Sequence, residues 1–387
     1  MNFECHVPAT IIYGKGSRFE APKQALKLLK SKALLITDQF FAENGVLQTM
    51  RQAFEDQGIA SFIFDEVEEE PDVSTVLAAA EILKKNRCDI VVSIGGGSVI
   101  DVGKAVAVVA TNHENFAEFS GYYKVKNNGM THIAIPTTAG TGTEATRVAT
   151  IRDRAKKIKM TCFDDAFMPD IAIVDYELSM TMPQSLTAMA GCDAFAHAVE
   201  AFISAKANPV ADMYALLAIQ LINEHLIRAF ENPADETARK NMMMGANYAG
   251  IAISNSSVCA VHAMARPLGV RFGMKHGIGH AILLPIVTEY SIAGALPRYA
   301  AIARAMGFSN AYSDDDLAMM LVDRLRELNE RLSIPNPRIW GVDKKTYMDQ
   351  IDDMVEDAIA TGTIDDNPRV FTHDEIARIY QLVYDYQ

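Results

Sequence analysis

Residues 89–104 read DIVVSIGGGSVIDVGK. The first six are an apolar, β-branched run of the kind that forms a strand buried on both faces. Three glycines follow, and a helical pattern then runs over 98–111. A strand that ends in glycines and opens into a helix is half of a βαβ unit. Working outward, ALLIT at 33–37, FIF at 62–64, HIAIP at 132–136 and IAIV at 171–174 read as further strands, with a helix over 73–85. This alternation predicts an α/β domain with a parallel sheet covered by helices on both faces. The ligand cleft is expected at the carboxyl ends of its strands.

Past about Leu178 the strand signals fade. Segments 183–204, 209–230, 238–254 and 299–306 are rich in Ala, Leu and Met at helical spacing, which predicts an all-helical second domain. The join lies near 180–183, giving domains 1–181 and 182–387. At 387 residues, two cores are expected rather than one. The 36 basic and 49 acidic residues leave a net charge of -13, which disfavours nucleic acid as a partner. No run of about 18 uninterrupted apolar residues marks a membrane span. The opening MNFECHVPATIIYGKGSRFE lacks the basic start and apolar core of a signal peptide. The five cysteines are scattered, with no CxxC, and read as free thiols; a cytoplasmic location is expected. The 19 methionines read as core filling.

Two loops have the chemistry of a phosphate cradle. Gly95-Gly96-Gly97-Ser98 follows a strand and opens a helix, whose first N–H groups and dipole favour an anion. Residues 136–143, PTTAGTGT, offer four threonine hydroxyls and two glycines at the end of another strand. Neither is a GK[ST] loop or a GxGxxG motif; together, on two parallel strands, they favour a dinucleotide. Asp38, ending the ALLIT strand, is either a turn residue or an acceptor for an adenosine ribose, which would favour NAD over its 2′-phosphorylated form.

Five of the nine histidines fall between His197 and His280. In GCDAFAHAVEAF, Asp193 and His197 are four apart, hence one turn apart on one helix face. His262 lies in CAVHAMARPLG, helical before Pro267, and His276 begins HGIGHAILLP. One carboxylate and three imidazoles suit Fe²⁺ or Zn²⁺ and leave a divalent ion net positive.

With these residues in place, the chain resembles the iron-containing (group III) alcohol dehydrogenases, which share a fold with glycerol dehydrogenase and dehydroquinate synthase. The resemblance runs nearly end to end, through TIIYGKGS, GGGSVIDVGKA, PTTAGTGTEATR, MPDIAIVDYEL, GCDAFAHAVEAF and HAMARPLG…HGIGHAILLP. It implies that Asp193, His197, His262 and His276 bind the metal, Fe²⁺ first, with Zn²⁺ or Mn²⁺ as alternatives. It implies that Asp38, Gly96, Gly97, Ser98, Asp101, Thr137, Thr138, Thr141 and Lys159 line an NAD site. It also implies a homodimer or larger assembly built from the N-terminal domains, and hydride transfer between nicotinamide and a small alcohol or aldehyde.

Three departures from the family pattern bear on the substrate. Arg266 stands where the family usually has a second histidine, one turn after His262; Lys275 replaces a proline; His280 replaces an asparagine. Arginine does not relay protons near neutral pH, but it grips anions with paired hydrogen bonds. Arg266 is thus read either as a substrate-anion clamp, with sulfoacetaldehyde reduced to isethionate as one concrete case, or as half of a structural ion pair. His280 is read either as a substitute proton carrier or as a surface or core residue. The alternatives are an alcohol or diol dehydrogenase without anion preference, a dehydroquinate-synthase-like lyase, and a non-catalytic nucleotide-binding protein.

Overall fold

The computed structural model describes residues 3–113, 115–154, 156 and 158–386. It divides between Met180 and Thr181: His6–Met180 is one compact unit, and Thr181–Gln387 makes up most of the other.

Among the described residues, the first unit holds nine strands: β1 (Thr10–Tyr13), β2 (Lys32–Ile36), β3 (Ala60–Phe64), β4 (Ile90–Gly95), β5 (Gly121–Tyr122), β6 (His132–Pro136), β7 (Val148–Asp153), β8 (Ile158–Phe163) and β9 (Ile171–Val174). Six form a sheet in the order β1-β9-β6-β4-β2-β3, with every pairing parallel. Leu34 and Ile36 of β2 face one apolar core, and Ala33 and Leu35 face the other. Helices Val73–Asn86 and Gly97–Thr111 supply the first core, and helix Val46–Asp56 supplies Met50 and Phe54 to the second. Burial on both sides is why these strands read as continuous apolar runs. From β2 the chain moves to β3 on one side, then returns to β4 on the other. The strand order therefore reverses between β2 and β4, at whose carboxyl ends stand Asp38 and the glycine loop.

The small sheet β5-β8-β7 was not foreseen. In β7 buried and accessible residues alternate, and β8 carries exposed Lys159. Such strands lack the apolar run that marks the main sheet. Edge strand β1 was quoted only as a motif, because none of its residues is fully buried.

Among the described residues, the second unit is helical throughout. Helix Gln184–Ile203 packs against Pro209–Glu231, Glu236–Ser254 and His276–Ala305. Asn208 caps the second of these by accepting from Val210 and Ala211 N–H, and Pro209 sits in its first turn. The helix bearing His262 spans Ala260–Phe272, so it passes through Pro267 instead of ending there. Its cost is one lost backbone bond, and the helix is held by buried Val261, Met264 and Leu268. The expected 299–306 segment is the tail of His276–Ala305, which kinks at non-helical Ala295, two residues before Pro297. Helices Gln184–Ile203, Pro209–Glu231 and His276–Ala305 have the length and mean hydropathy of membrane spans. The first carries Asp193, His197 and Glu200 among its buried residues. All five cysteines are free.

Candidate functional site

In the first unit the two candidate loops lie side by side. Thr137 N–H donates to Gly95 O at 3.0 Å. A Cβ on Gly97 would fall 2.8 Å from Thr141 Cγ2, so only glycine permits this approach. Helix Gly97–Thr111 has Gly96 as its N-cap, and that residue makes no side-chain cap bond to its first turn. Those N–H groups and the buried, unpartnered Thr137 Oγ1 fit an incoming phosphate or ribose. Thr138 and Thr141 are partly accessible on the same loop.

Other predicted residues are engaged within the protein. The Ser98 hydroxyl donates to Glu69 O. Asp101 accepts from Thr143 Oγ1 at 2.8 Å and from Thr150 N at 2.9 Å, tying the helix to the threonine loop and β7. Burial pushes its carboxyl up, against the pull of Lys104, Thr143, Thr150 and Lys159. Asp38 caps helix Gln39–Glu43 through Phe41 N–H at 3.1 Å, and burial raises its carboxyl too. Asp38 is thus at least a turn residue, partly accessible at the reversal point.

Lys104 was given no role from sequence. It is 1% exposed, and its ammonium donates to Thr143 Oγ1, Thr146 O, Thr146 Oγ1 and Val148 O at 2.7–3.0 Å. Burial pushes its pKa down to about 8, partly offset by Asp101 and Glu144. It pins the end of the threonine loop to the helix that begins at Gly97. The Gly97→Ala variant tests how much this loop contact matters. If the loop holds a phosphate-bearing cofactor, pushing Thr141 aside should raise the KM for that cofactor about tenfold, equivalent to about 1.4 kcal/mol, with kcat little changed in steady-state kinetics.

In the second unit, Asp193, His262, His276 and His280 each place one ligand atom so that all lie within 4.8 Å of one another. Asp193 comes from the middle of Gln184–Ile203, His262 from the first turn of Ala260–Phe272, and His276 and His280 from the first two turns of His276–Ala305. The helices meet closely because of Gly277, where a Cβ would stand 2.1 Å from Met189 O. His197 borders this group. Its Nε2 is 3.9 Å from Asp193 Oδ1, and its ring stacks on that of His262 with centroids 4.6 Å apart.

Glu200, missed from sequence, lies seven residues past Asp193 on the same buried helix face. It accepts from His262 Nδ1 at 2.5 Å and from Val261 N–H at 2.6 Å. With Nδ1 donating to Glu200, His262 keeps its lone pair on Nε2. The helical spacing in GCDAFAHAVEAF carried this signal.

The protonation states suit a cation. Burial pushes His197 down to about 4 and lowers His280, so both imidazoles are neutral. Burial would raise Asp193, but His197, His280 and His276 around it hold the carboxyl well below its usual range. His197 Nδ1, His262 Nε2 and His280 Nε2 are buried without a hydrogen-bond partner among the described residues. Unpartnered buried nitrogens are costly unless something binds them. A nitrogen-and-oxygen donor set of this kind fits Fe²⁺ or Zn²⁺.

His280, expected to carry protons, is wholly buried inside the group. Arg266, one turn beyond His262 on the same helix, is exposed, as is His276.

Comparison with known proteins identifies the family. Residues 8–176 match the family model for iron-containing alcohol dehydrogenase, and residues 187–384 match that for the C-terminal part of the Fe-containing alcohol dehydrogenase family. Alcohol dehydrogenase 4 of Schizosaccharomyces pombe is 36% identical over 379 residues, covering 97% of this chain and 88% of that protein. The crystal structure of a 1,3-propanediol oxidoreductase superposes with a TM-score of 0.95 at 32% identity, covering 99% of this chain and 100% of the other. Sulfoacetaldehyde reductase from Bifidobacterium kashiwanohense, solved with NAD+, superposes at 0.91 with 30% identity over all of both chains. The chain is an oxidoreductase and belongs to the iron-containing alcohol dehydrogenase family.

Proposed function

We propose that the protein is an NAD(H)-linked, metal-dependent aldehyde reductase whose substrate is a small aldehyde with an anionic group. The observation that carries the metal-dependent part is the cluster of Asp193, His262, His276 and His280, in which His262 Nε2 and His280 Nε2 are buried without a hydrogen-bond partner among the described residues. Asp193, His197, His262 and His276 would hold the cation. When bound, a divalent cation polarises a carbonyl oxygen and stabilises the alkoxide, and the nicotinamide supplies the hydride. Glu200 fixes the His262 ring so that Nε2 stays the donor nitrogen. In the first unit, the uncapped Gly97–Thr111 helix, with Ser98 beside it, receives the pyrophosphate; Thr137, Thr138 and Thr141 line it, and Asp101 and Lys104 hold the loop in place. Lys159, on exposed β8 near Asp101, adds positive charge. Asp38 disfavours a 2′-phosphate by charge. Consistent with the family resemblance, the enzyme works in the cytosol as a homodimer or larger assembly built through its N-terminal unit.

The anionic preference rests on Arg266, a fixed cation one turn from a metal-site histidine and exposed to solvent. The similar sulfoacetaldehyde reductase lends support to this reading. The test compares kcat/KM on ω-anionic aldehydes with that on alkyl aldehydes of equal length. Wild type should prefer the anions, and Arg266→Ala should lose about 10- to 100-fold on the anions alone, the worth of hydrogen bonds to a charged group. Equal efficiency on both series in the wild type removes the anion assignment and leaves an alcohol or diol dehydrogenase.

A further inference from the structure

We propose that His280 is itself a ligand of the metal ion, which adds a fourth imidazole to the donor set. This rests on the reading above that the cluster holds a divalent cation. Position alone supports it first. His280 belongs to the tight group of four, while His197 borders it. The His280 ring centroid is 3.9 Å from that of His262 and 4.0 Å from that of His276, although those two rings are 5.8 Å apart. The fourth ring therefore packs against two of the residues that would hold the ion.

Hydrogen bonding gives the second argument. His280 Nδ1 is 2.7 Å from Asp193 Oδ1, which accounts for one ring nitrogen. Nε2 is buried and has no partner among the described residues. A histidine kept only to orient Asp193 would leave that nitrogen buried and uncompensated. The imidazole is better explained by an ion. A fourth imidazole should tighten retention and favour metals that take nitrogen ligands over those that take oxygen.

The experiment uses the full chain loaded with Co²⁺ and does not depend on turnover. In the wild type, hyperfine-shifted exchangeable imidazole N–H protons should number four, from His197, His262, His276 and His280. Three such signals, with the His280 signal absent, overturn the inference. In parallel, His280→Asn keeps a donor for Asp193 but removes the ring. Its visible Co²⁺ bands should shift, and a competing chelator should strip the ion at about 100-fold lower concentration. Bands that superpose on the wild type, with unchanged chelator competition, also overturn it. The wild-type count decides the matter even if the variant does not fold. A wild-type protein that takes up no cobalt, zinc or iron sinks the metal reading itself. One bound ion with three shifted signals sinks only the role of His280.

Discussion

Replacing Asp193 with asparagine should abolish metal retention and cut aldehyde reduction about 10³-fold or more, a loss of about 4 kcal/mol in transition-state stabilisation. Asp193 is the single carboxylate in the group of four and sits at its centre. It is 2.7 Å from His280, 3.9 Å from His197 and 4.0 Å from His262. The substitution keeps the side-chain volume and removes only the charge. Without that charge, three or four neutral imidazoles face a dication with no counter-charge from this group. Glu200 does not replace it, since its oxygens are taken by His262 and Val261. Elemental analysis of purified protein should show the ion lost, and chelator-treated wild type should fall to the same residual rate. An Asp193→Asn enzyme with full metal and full turnover would exclude this cluster as the reaction centre.

The second large effect belongs to the other unit. Lys104→Met should destabilise the first unit by about 3–5 kcal/mol, the usual cost of removing one partner from a buried charged network. Methionine fills similar space but leaves four oxygen acceptors on Thr143, Thr146 and Val148 without their donor. It also removes the ammonium charge that acts on the buried Glu144 and the neighbouring Asp101 carboxylates. The threonine loop should loosen, weakening NADH binding as well. The sole tryptophan, Trp340, lies in the helical unit and will not report this change. Calorimetry, or hydrogen exchange across β7, will. Unchanged protection there would show that the lysine is dispensable to the loop.

What could be read in the sequence followed burial. Strands with both faces covered, such as β2 and β4, stand out because nearly all their residues are apolar, Lys32 and Ser93 excepted. The half-covered β7 and β8 do not, since their alternation is short and interrupted by charge. The same logic governs the site. Asp193 and His197 were legible as a pair because one helix turn joins them. Glu200 used the same periodicity but was passed over, as a carboxylate on a helix face is ordinarily solvated; here it is buried. Lys104 carries no local signal, because its partners lie 39–44 residues away on a loop whose path no local pattern reveals. The company His280 keeps was hidden for the same reason, its Asp193 partner being 87 residues distant.

That 87-residue span has a consequence for how the chain matures. Asp193 meets His280 only after Gln184–Ile203 and His276–Ala305 have docked at Gly277, so a partly folded chain offers an ion at most local pairs of donors. Ion capture therefore discriminates between finished and unfinished molecules. At a free concentration 100 times the dissociation constant it adds about 2.7 kcal/mol to the finished state alone. Metal supply then becomes a quality check on assembly, and a starved cell would accumulate chains that are more readily unfolded and degraded.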